Sequence, residues 1–172
     1  MLVGGQALGG RTLAAARQAL PHAQFIQTFA CSEACSSITF LPLSQSSSVA
    51  RRGTLEDGSE VAGACVGYAG HHVEVQVVSE GAVAVVGKAG VGSGSGGSAR
   101  ILEAGRVGRI RTRGAHVMLG YQGRASLPVG SWLYTGDWGF VDADGALCFV
   151  SRASDRINSG GEKVCACACV WE

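Results

Sequence analysis

Residues 131–163 read SWLYTGDWGFVDADGALCFVSRASDRINSGGEK, and this stretch decides the fold of the chain. Large apolar side chains alternate along the sequence on both sides of DADG at 142–145, which has the composition of a tight turn. The alternating residues are Trp138 and Phe140 before the turn and Leu147 and Phe149 after it. The pattern predicts a β-hairpin.

The register of this hairpin directs two charged residues toward the same end of the ribbon. Asp137 lies in the sequence TGD, which we predict as a tight turn, and Arg152 ends the second strand. A carboxylate there can accept both hydroxyls of a ribose, and a guanidinium beside it can donate to ribose or phosphate oxygens. Each residue also has a structural interpretation, because an aspartate after glycine often caps a turn and an arginine at a strand end is often a solvated charge.

The composition is typical of a globular protein, with 47% hydrophobic and 16% charged residues. The net charge of +1 and the scattered basic residues argue against nucleic acid or an anionic membrane as a partner. No run approaches the roughly 20 apolar residues that a membrane span needs. Seven cysteines without the spacing of a disulfide scaffold predict a reducing intracellular compartment, such as the cytosol, a plastid or a peroxisome. Composition does not indicate an oligomeric state.

The run WLYTGDWGFVDADGALCFVSRASDRINSGGEKV resembles the signature WxxTGDxGxxDxDGxLxFxGRxxDxIxxGGEKV of the adenylate-forming acyl-CoA synthetases and ligases. The match has no gaps, and Ser151 replaces a glycine of the signature. The resemblance implies that Asp137 holds the ribose hydroxyls of ATP and of the acyl-adenylate, and that Arg152 supports the same sugar. A second segment, GRVGRIRTRGAHVMLGYQG, resembles the family's GEIxxRGxxVMxGYxG, with Arg109 in place of a glutamate.

Two N-terminal segments supply further candidate residues. Gly4 and Gly5 have no Cβ, so their backbone can approach a ligand closely, although a plain N-terminal loop also explains them. The sequence QFIQTF at 24–29 predicts a short buried strand. Ser32 and Glu33 follow it, which puts a hydroxyl and a carboxylate at a strand end, where open α/β sheets bind ligands.

Both segments resemble motifs of the same family. Gly4, Gly5 and Gln6 match a GGAPL segment that lies against adenine, and FACSE at 29–33 matches YGxTE. The resemblance implies that Phe29 lies along the adenine, that Ser32 contacts the α-phosphate and that Glu33 holds magnesium. One carboxylate is chemically sufficient, because Mg²⁺ completes its coordination with phosphate and water. The longer run SEACSSITF resembles the o-succinylbenzoate-CoA ligase branch of the family.

Other segments predict structure rather than chemistry. RTLAAARQAL at 11–20 predicts a packing helix, and alternating valines at 73, 75 and 77 predict a half-buried strand preceded by two surface or turn histidines. A Gly/Ser-rich tract within about 79–102 predicts a flexible insertion. Cys165, Cys167 and Cys169 lie on one face of an extended segment, which suits either a soft metal or a divergent chain end.

We therefore predict a strand-dominated α+β fold. It would correspond to the C-terminal part of the large N-terminal domain of an adenylate-forming enzyme, with a partial AMP-binding domain at 1–150 and a hinge leading into a truncated lid domain at 151–172. The resemblance implies an ATP-dependent ligase that activates a carboxylate, with 2-succinylbenzoate as one candidate, as acyl-AMP and transfers it to CoA, with Mg²⁺ as cofactor. The chain contains neither a lysine-bearing phosphate loop nor a lid lysine, so the alternative is an inactive fragment that serves as a nucleotide-binding or interaction module.

Overall fold

The computed structural model describes residues 1–5, 9–43, 50–79, 99–152, 156–159 and 162–165, with the backbone alone for the last two ranges. Strands dominate these residues, which confirms the predicted fold class. No helix in this part of the chain is long and apolar enough to cross a membrane. Gln6, most of the glycine-rich tract and the cysteine side chains at 165, 167 and 169 lie outside the described residues.

The elements follow one another in a simple order. The first half contains β1 (Leu2–Val3), α1 (Gly10–Ala19), β2 (Ile26–Cys31), a 3₁₀ turn (Ser32–Ala34), β3 (Ser36–Pro42), β4 (Ala50–Thr54), β5 (Glu60–Ala69) and β6 (Glu74–Val78). The second half contains β7 (Gly108–Arg113), β8 (Leu133–Val141), β9 (Leu147–Arg152), β10 (Arg156–Ser159) and β11 (Glu162–Cys165).

Nine of the described strands form one sheet, in the order β1-β2-β3-β5-β9-β8-β7-β6, with β4 added alongside β5. The β1–β2 pair is parallel, and the other pairs in this sheet are antiparallel. Strands β10 and β11 pair with each other in a separate two-stranded sheet. The long sheet therefore joins the N-terminal strands to the predicted hairpin through β5.

The predicted hairpin is confirmed as β8 and β9. Asp142 closes the turn between them, because its carboxylate accepts the backbone N–H of Ala146 at 3.0 Å. Phe140 is fully buried and packs with Val107, Trp138, Cys148 and Val150 in one of the core clusters. Gly53 in β4 packs directly on the Phe140 ring. A Cβ at this position would come within 2.4 Å of the ring, so only glycine fits.

The TGD sequence differs from its prediction, because it lies inside β8 rather than in a turn before it. Gly136 has a φ of 80°, which bends the strand locally, and Thr135–Asp137 forms a bulge opposite Ile110. The bulge interrupts pairing with β7. Pairing with β9 continues with a register shift between Trp138 and Gly139, beyond which Asp137 lies opposite Arg152. Bulges of this kind redirect side chains and are frequent beside active sites.

The other sequence predictions hold with small shifts. Helix α1 begins one residue earlier than the predicted segment and has no buried residue, and the Arg17 guanidinium donates to the carbonyl of Leu43 at 2.7 Å. The two histidines form a turn before β6, with His72 at a φ of 63°. The last residues of the predicted insertion are ordered, because Leu102 donates its backbone N–H to Val77 at 2.9 Å.

Candidate nucleotide-binding site

Asp137 and Arg152 meet at the end of the hairpin, as their register predicts. The two residues are direct partners in the β8–β9 ladder, and Arg152 Nε lies 3.5 Å from Asp137 Oδ1. The Asp137 side chain is only 7% exposed, whereas that of Arg152 is 69% exposed. A long, exposed arginine next to a buried carboxylate can move without disturbing the strand, so the acid is fixed and the base is adjustable.

The bulge fixes the direction of Asp137. Its backbone N–H donates to Thr135 Oγ1 at 3.2 Å, and the Thr135 hydroxyl donates to the carbonyl of Ile110 at 3.3 Å. Ile110 is fully buried in β7. The carboxylate is therefore positioned by the backbone of two neighbouring strands.

Glu33 lies in the 3₁₀ turn that follows β2, and a segment distant in sequence covers it. The Tyr121 hydroxyl donates a short hydrogen bond to Glu33 Oε1, and the backbone N–H of Met118 donates to the Glu33 carbonyl at 2.9 Å. This hydrogen bond to the Glu33 carboxylate raises the pKa of Tyr121, so the hydroxyl keeps its proton and remains a donor. We call this arrangement, residues 31–35 with the covering residues 116–121, the Glu33 corner.

Cys31 connects the Glu33 corner with the hairpin. Burial, together with the charges of Glu33 and Asp137, raises the pKa of its thiol to about 11. Both carboxylates therefore act on one half-buried thiol. Strand β8 also contacts the 3₁₀ turn, and Ala34 packs with Leu133 in a shared core cluster. The structure thus brings Asp137, Arg152 and Glu33 to one region around the end of β2.

The glycine pair lies beside the same strand. The β1–β2 ladder ends where Val3 pairs with Gln27, and Gly4 lies next to Thr28. A Cβ on Gly4 would lie 2.6 Å from the Thr28 hydroxyl oxygen, so the close approach requires glycine. The Phe29 ring is half-buried and packs against Phe149, with ring centroids 6.2 Å apart. Part of this ring therefore belongs to the core, and its predicted contact with adenine stays a prediction.

Ser32 is exposed at the start of the 3₁₀ turn, next to the carboxylate of Glu33. The donor set suits Mg²⁺, which prefers oxygen ligands and needs few of them from the protein when phosphate is present. Glu33 would supply the oxygen, oriented by Tyr121. The bound ion would neutralise phosphate charge. Within the described ranges no cluster of three or more acidic, histidine or cysteine ligands occurs.

The sequence patterns assign no role to Tyr121 or Cys31 in this region. Tyr121 lies in the GYQG part of a family-like segment, and Cys31 lies in the middle of FACSE. Both residues lie in motifs that can be recognised in the sequence, but the sequence does not show which residues they contact. Tyr121 is 88 positions from Glu33, so only folding brings the two together.

Comparison with solved structures defines the class of protein. The fold matches o-succinylbenzoate coenzyme A synthetase (MenE) from Bacillus subtilis, solved in complex with ATP and magnesium ion, with a TM-score of 0.62 and 26% identity over 95% of this chain and 28% of that one. No family model matches the chain. The sheet, the hairpin signature and this match assign the chain to the adenylate-forming acyl-CoA ligases, of which it corresponds to a segment.

Within that class, several curated relatives are named 2-succinylbenzoate–CoA ligase, and others are named oxalate–CoA ligase and probable acyl-activating enzyme 6. The chloroplastic/peroxisomal enzyme of Arabidopsis thaliana is 31% identical over 177 positions, covering 95% of this chain and 28% of the relative. The enzyme of Geobacillus sp. (strain WCH70) is 44% identical over 61 residues, covering 33% of this chain and 12% of the relative. The matched part of the chain thus spans between about an eighth and just over a quarter of the length of these relatives.

Proposed function

We propose that this chain forms the ribose- and magnesium-binding part of an ATP-dependent acid–thiol ligase that produces AMP. The observation that carries the proposal is the direct pairing of buried Asp137 with exposed Arg152 in a bulged strand. A fixed carboxylate can accept two ribose hydroxyls, and the adjacent guanidinium can donate to the same sugar. Because Asp137 is buried, we expect Arg152 to move aside when the nucleotide binds.

The other site residues have roles in the same proposal. Ser32 would donate to the α-phosphate, and Glu33 would hold Mg²⁺ under the hydroxyl of Tyr121. Gly4, Gly5 and Gln6 would lie along the adenine, together with Phe29. Adenylation depends on the positioning of the reactants and on charge neutralisation at phosphorus. These residues would position the ATP and, through Mg²⁺, neutralise its phosphate charge.

The reaction would proceed in two steps. The carboxylate of the acid attacks the α-phosphorus of ATP, which gives an acyl-adenylate and releases pyrophosphate. The thiol of CoA then attacks the acyl carbon and releases AMP. We propose 2-succinylbenzoate as the acid, since several of the matched relatives, including the one that covers 95% of this chain, bear that name. We propose a reducing intracellular compartment as the location. The 151–172 segment would be the hinge and the start of the lid.

Calorimetric titration of the 172-residue chain with AMP tests the ribose site. We expect Asp137→Asn to weaken AMP binding by tenfold or more, because a charged acceptor of two hydrogen bonds is worth about 1.5–3 kcal/mol. Asp144→Asn is the matched control, because that carboxylate is paired with Arg51 in the hairpin turn. Equal AMP affinity in the wild-type chain and Asp137→Asn would contradict the assignment.

The chemical step requires a separate assay. Incubation with ATP, Mg²⁺, CoA and 2-succinylbenzoate should release pyrophosphate and form a thioester, and Asp137→Asn should abolish both. Nucleotide binding without pyrophosphate release over a panel of carboxylic acids would instead support the alternative of a nucleotide-binding module.

A further inference from the structure

Two cysteines lie directly opposite each other on adjacent strands, away from the candidate nucleotide site. Cys65 in β5 is the ladder partner of Cys148 in β9. Directly opposed residues of antiparallel strands point to the same face, with Cβ atoms about 4.5–5.5 Å apart. A disulfide needs a Cβ separation of about 3.5–4.5 Å and a Cα separation of about 4.4–6.8 Å, so a small approach of the strands is sufficient.

The packing shows independently that both thiols are on one face. Cys148 is fully buried in the cluster around Phe140, and Cys65 packs against that cluster from a half-buried position. The two thiols also hydrogen-bond to each other. A small reagent from solvent would therefore reach the Cys65 thiol first, because the Cys148 thiol is fully buried.

The charges around the pair favour a reactive Cys65. The hydrogen bond from Cys148 lowers the pKa of the Cys65 thiol, and the Arg51 guanidinium lowers it further. The hydrogen bond with Cys65 and burial raise the pKa of Cys148. Arg51 is held in place by ion pairs to Asp142 and Asp144 in the hairpin turn. A thiolate at Cys65 is the nucleophilic form, and the protonated Cys148 is the resolving partner.

We propose that Cys65 and Cys148 are a peroxide-sensitive pair that forms a reversible disulfide across β5 and β9. The Cys65 thiolate attacks one oxygen of hydrogen peroxide, which breaks the O–O bond and leaves a sulfenic acid and, after protonation, water. The Cys148 sulfur then attacks the Cys65 sulfur, displaces hydroxide and loses its proton, which gives the disulfide and a second water. Two thiols are oxidised by two electrons, and one peroxide is reduced to two waters.

The bond would connect the middle of the sheet to the strand that carries Arg152. Strand β5 joins the N-terminal strands to the hairpin, and β9 ends at the residue that pairs with Asp137. The oxidised chain would thus hold the hairpin firmly against the rest of the sheet.

The sequence allows a direct test. Trypsin should release Cys65 in the peptide 53–88 and Cys148 in the peptide 125–152, and each of these peptides contains a single cysteine. The reduced full chain is treated with hydrogen peroxide, blocked with iodoacetamide, digested without reductant and examined by mass spectrometry. We expect the linked peptide pair, lighter by two hydrogens than the sum of its parts, to replace both alkylated peptides, and dithiothreitol to restore them.

Two variants provide the controls. Cys65→Ser should abolish the linked pair, whereas Cys35→Ser, at an exposed position, should leave it unchanged. A wild-type chain in which both peptides remain alkylated after peroxide would overturn the proposal. So would linkage of Cys65 mainly to the C-terminal peptide 164–172, or formation of the bond only between two chains, seen as a dimer on a non-reducing gel.

Discussion

The hairpin of β8 and β9 and the Glu33 corner contribute to the same candidate site by different physical means. In the hairpin, Asp137 and Arg152 are brought together by ladder register, and the fully buried Phe140 anchors the ribbon from the side. In the Glu33 corner, the carboxylate is oriented by Tyr121, whose own side chain is half-exposed. The Asp137–Arg152 contact follows from the pairing of two strands that are adjacent in sequence. The Tyr121–Glu33 contact depends on the packing of two segments that are 88 positions apart.

This difference implies that the hairpin is the more rigid region and that the Glu33 corner adjusts more easily. A residue placed by a buried ladder moves only when the core moves, whereas a residue placed by an exposed hydrogen bond can change partner at little cost. The ribose position should therefore be rigid and the magnesium position adaptable. Each of the following predictions separates the two regions.

The largest effect is expected from removing the anchor of the hairpin. Phe140→Ala should lower the free energy of unfolding by about 4 kcal/mol, because the fully buried ring leaves a cavity under Gly53 and beside Val107. Urea denaturation followed by tryptophan fluorescence measures the loss. Val129→Ala, at a side chain 95% exposed, should change little. A loss for Phe140→Ala no larger than that of Val129→Ala would show that the hairpin is not the stable region.

A smaller and more selective effect is expected in the Glu33 corner. Tyr121→Phe removes the hydroxyl that orients the Glu33 carboxylate, so Mg²⁺ binding in the presence of ATP should weaken by about fivefold, or about 1 kcal/mol. AMP binding, which depends on Asp137, should not change. Tyr68→Phe, at another partly exposed tyrosine, is the control. Equal losses of AMP and magnesium affinity in Tyr121→Phe would contradict the separation of the two regions.

The smallest effect concerns pH. His116 covers the Glu33 corner with Nε2 at 2.8 Å from the Thr112 hydroxyl, its Nδ1 has no hydrogen-bond partner among the described residues, and burial lowers its pKa. The unfolded chain therefore takes up a proton at higher pH than the folded chain does. Stability should be complete above the ordinary histidine pKa of about 6.5 and should fall as the pH drops through that value.

The urea midpoint measured between about pH 7.5 and about pH 5 tests this sign. His116→Gln should flatten the fall, whereas His22→Gln, at an exposed position, should leave it as in the wild type. A steeper acid loss in His116→Gln would mean that the protonated ring stabilises the fold, contrary to our expectation.

Several features could be predicted because they depend on neighbours in sequence. The alternation around DADG predicts β8 and β9, and it predicts that Asp137 and Arg152 lie toward the same end of the hairpin. Their direct pairing also depends on the register shift between Trp138 and Gly139. The glycine of the TGD sequence predicts a turn. In the structure, the same residues form a bulge inside β8, because the strand continues on both sides of them. Local chemistry indicates that Gly136 bends the chain, but it does not indicate whether neighbouring strands continue through the bend.

The sequence by itself determined the class of protein, the hairpin and the placement of Asp137 and Arg152 at one end of it, because each depends on residue spacing within one ribbon. Only the tertiary structure decided that Tyr121 orients Glu33, that the charges of Glu33 and Asp137 both act on Cys31, and that Cys65 faces Cys148. These contacts join strands that are far apart in the chain. Their physical basis is the packing of the whole sheet, which no short pattern of residues encodes.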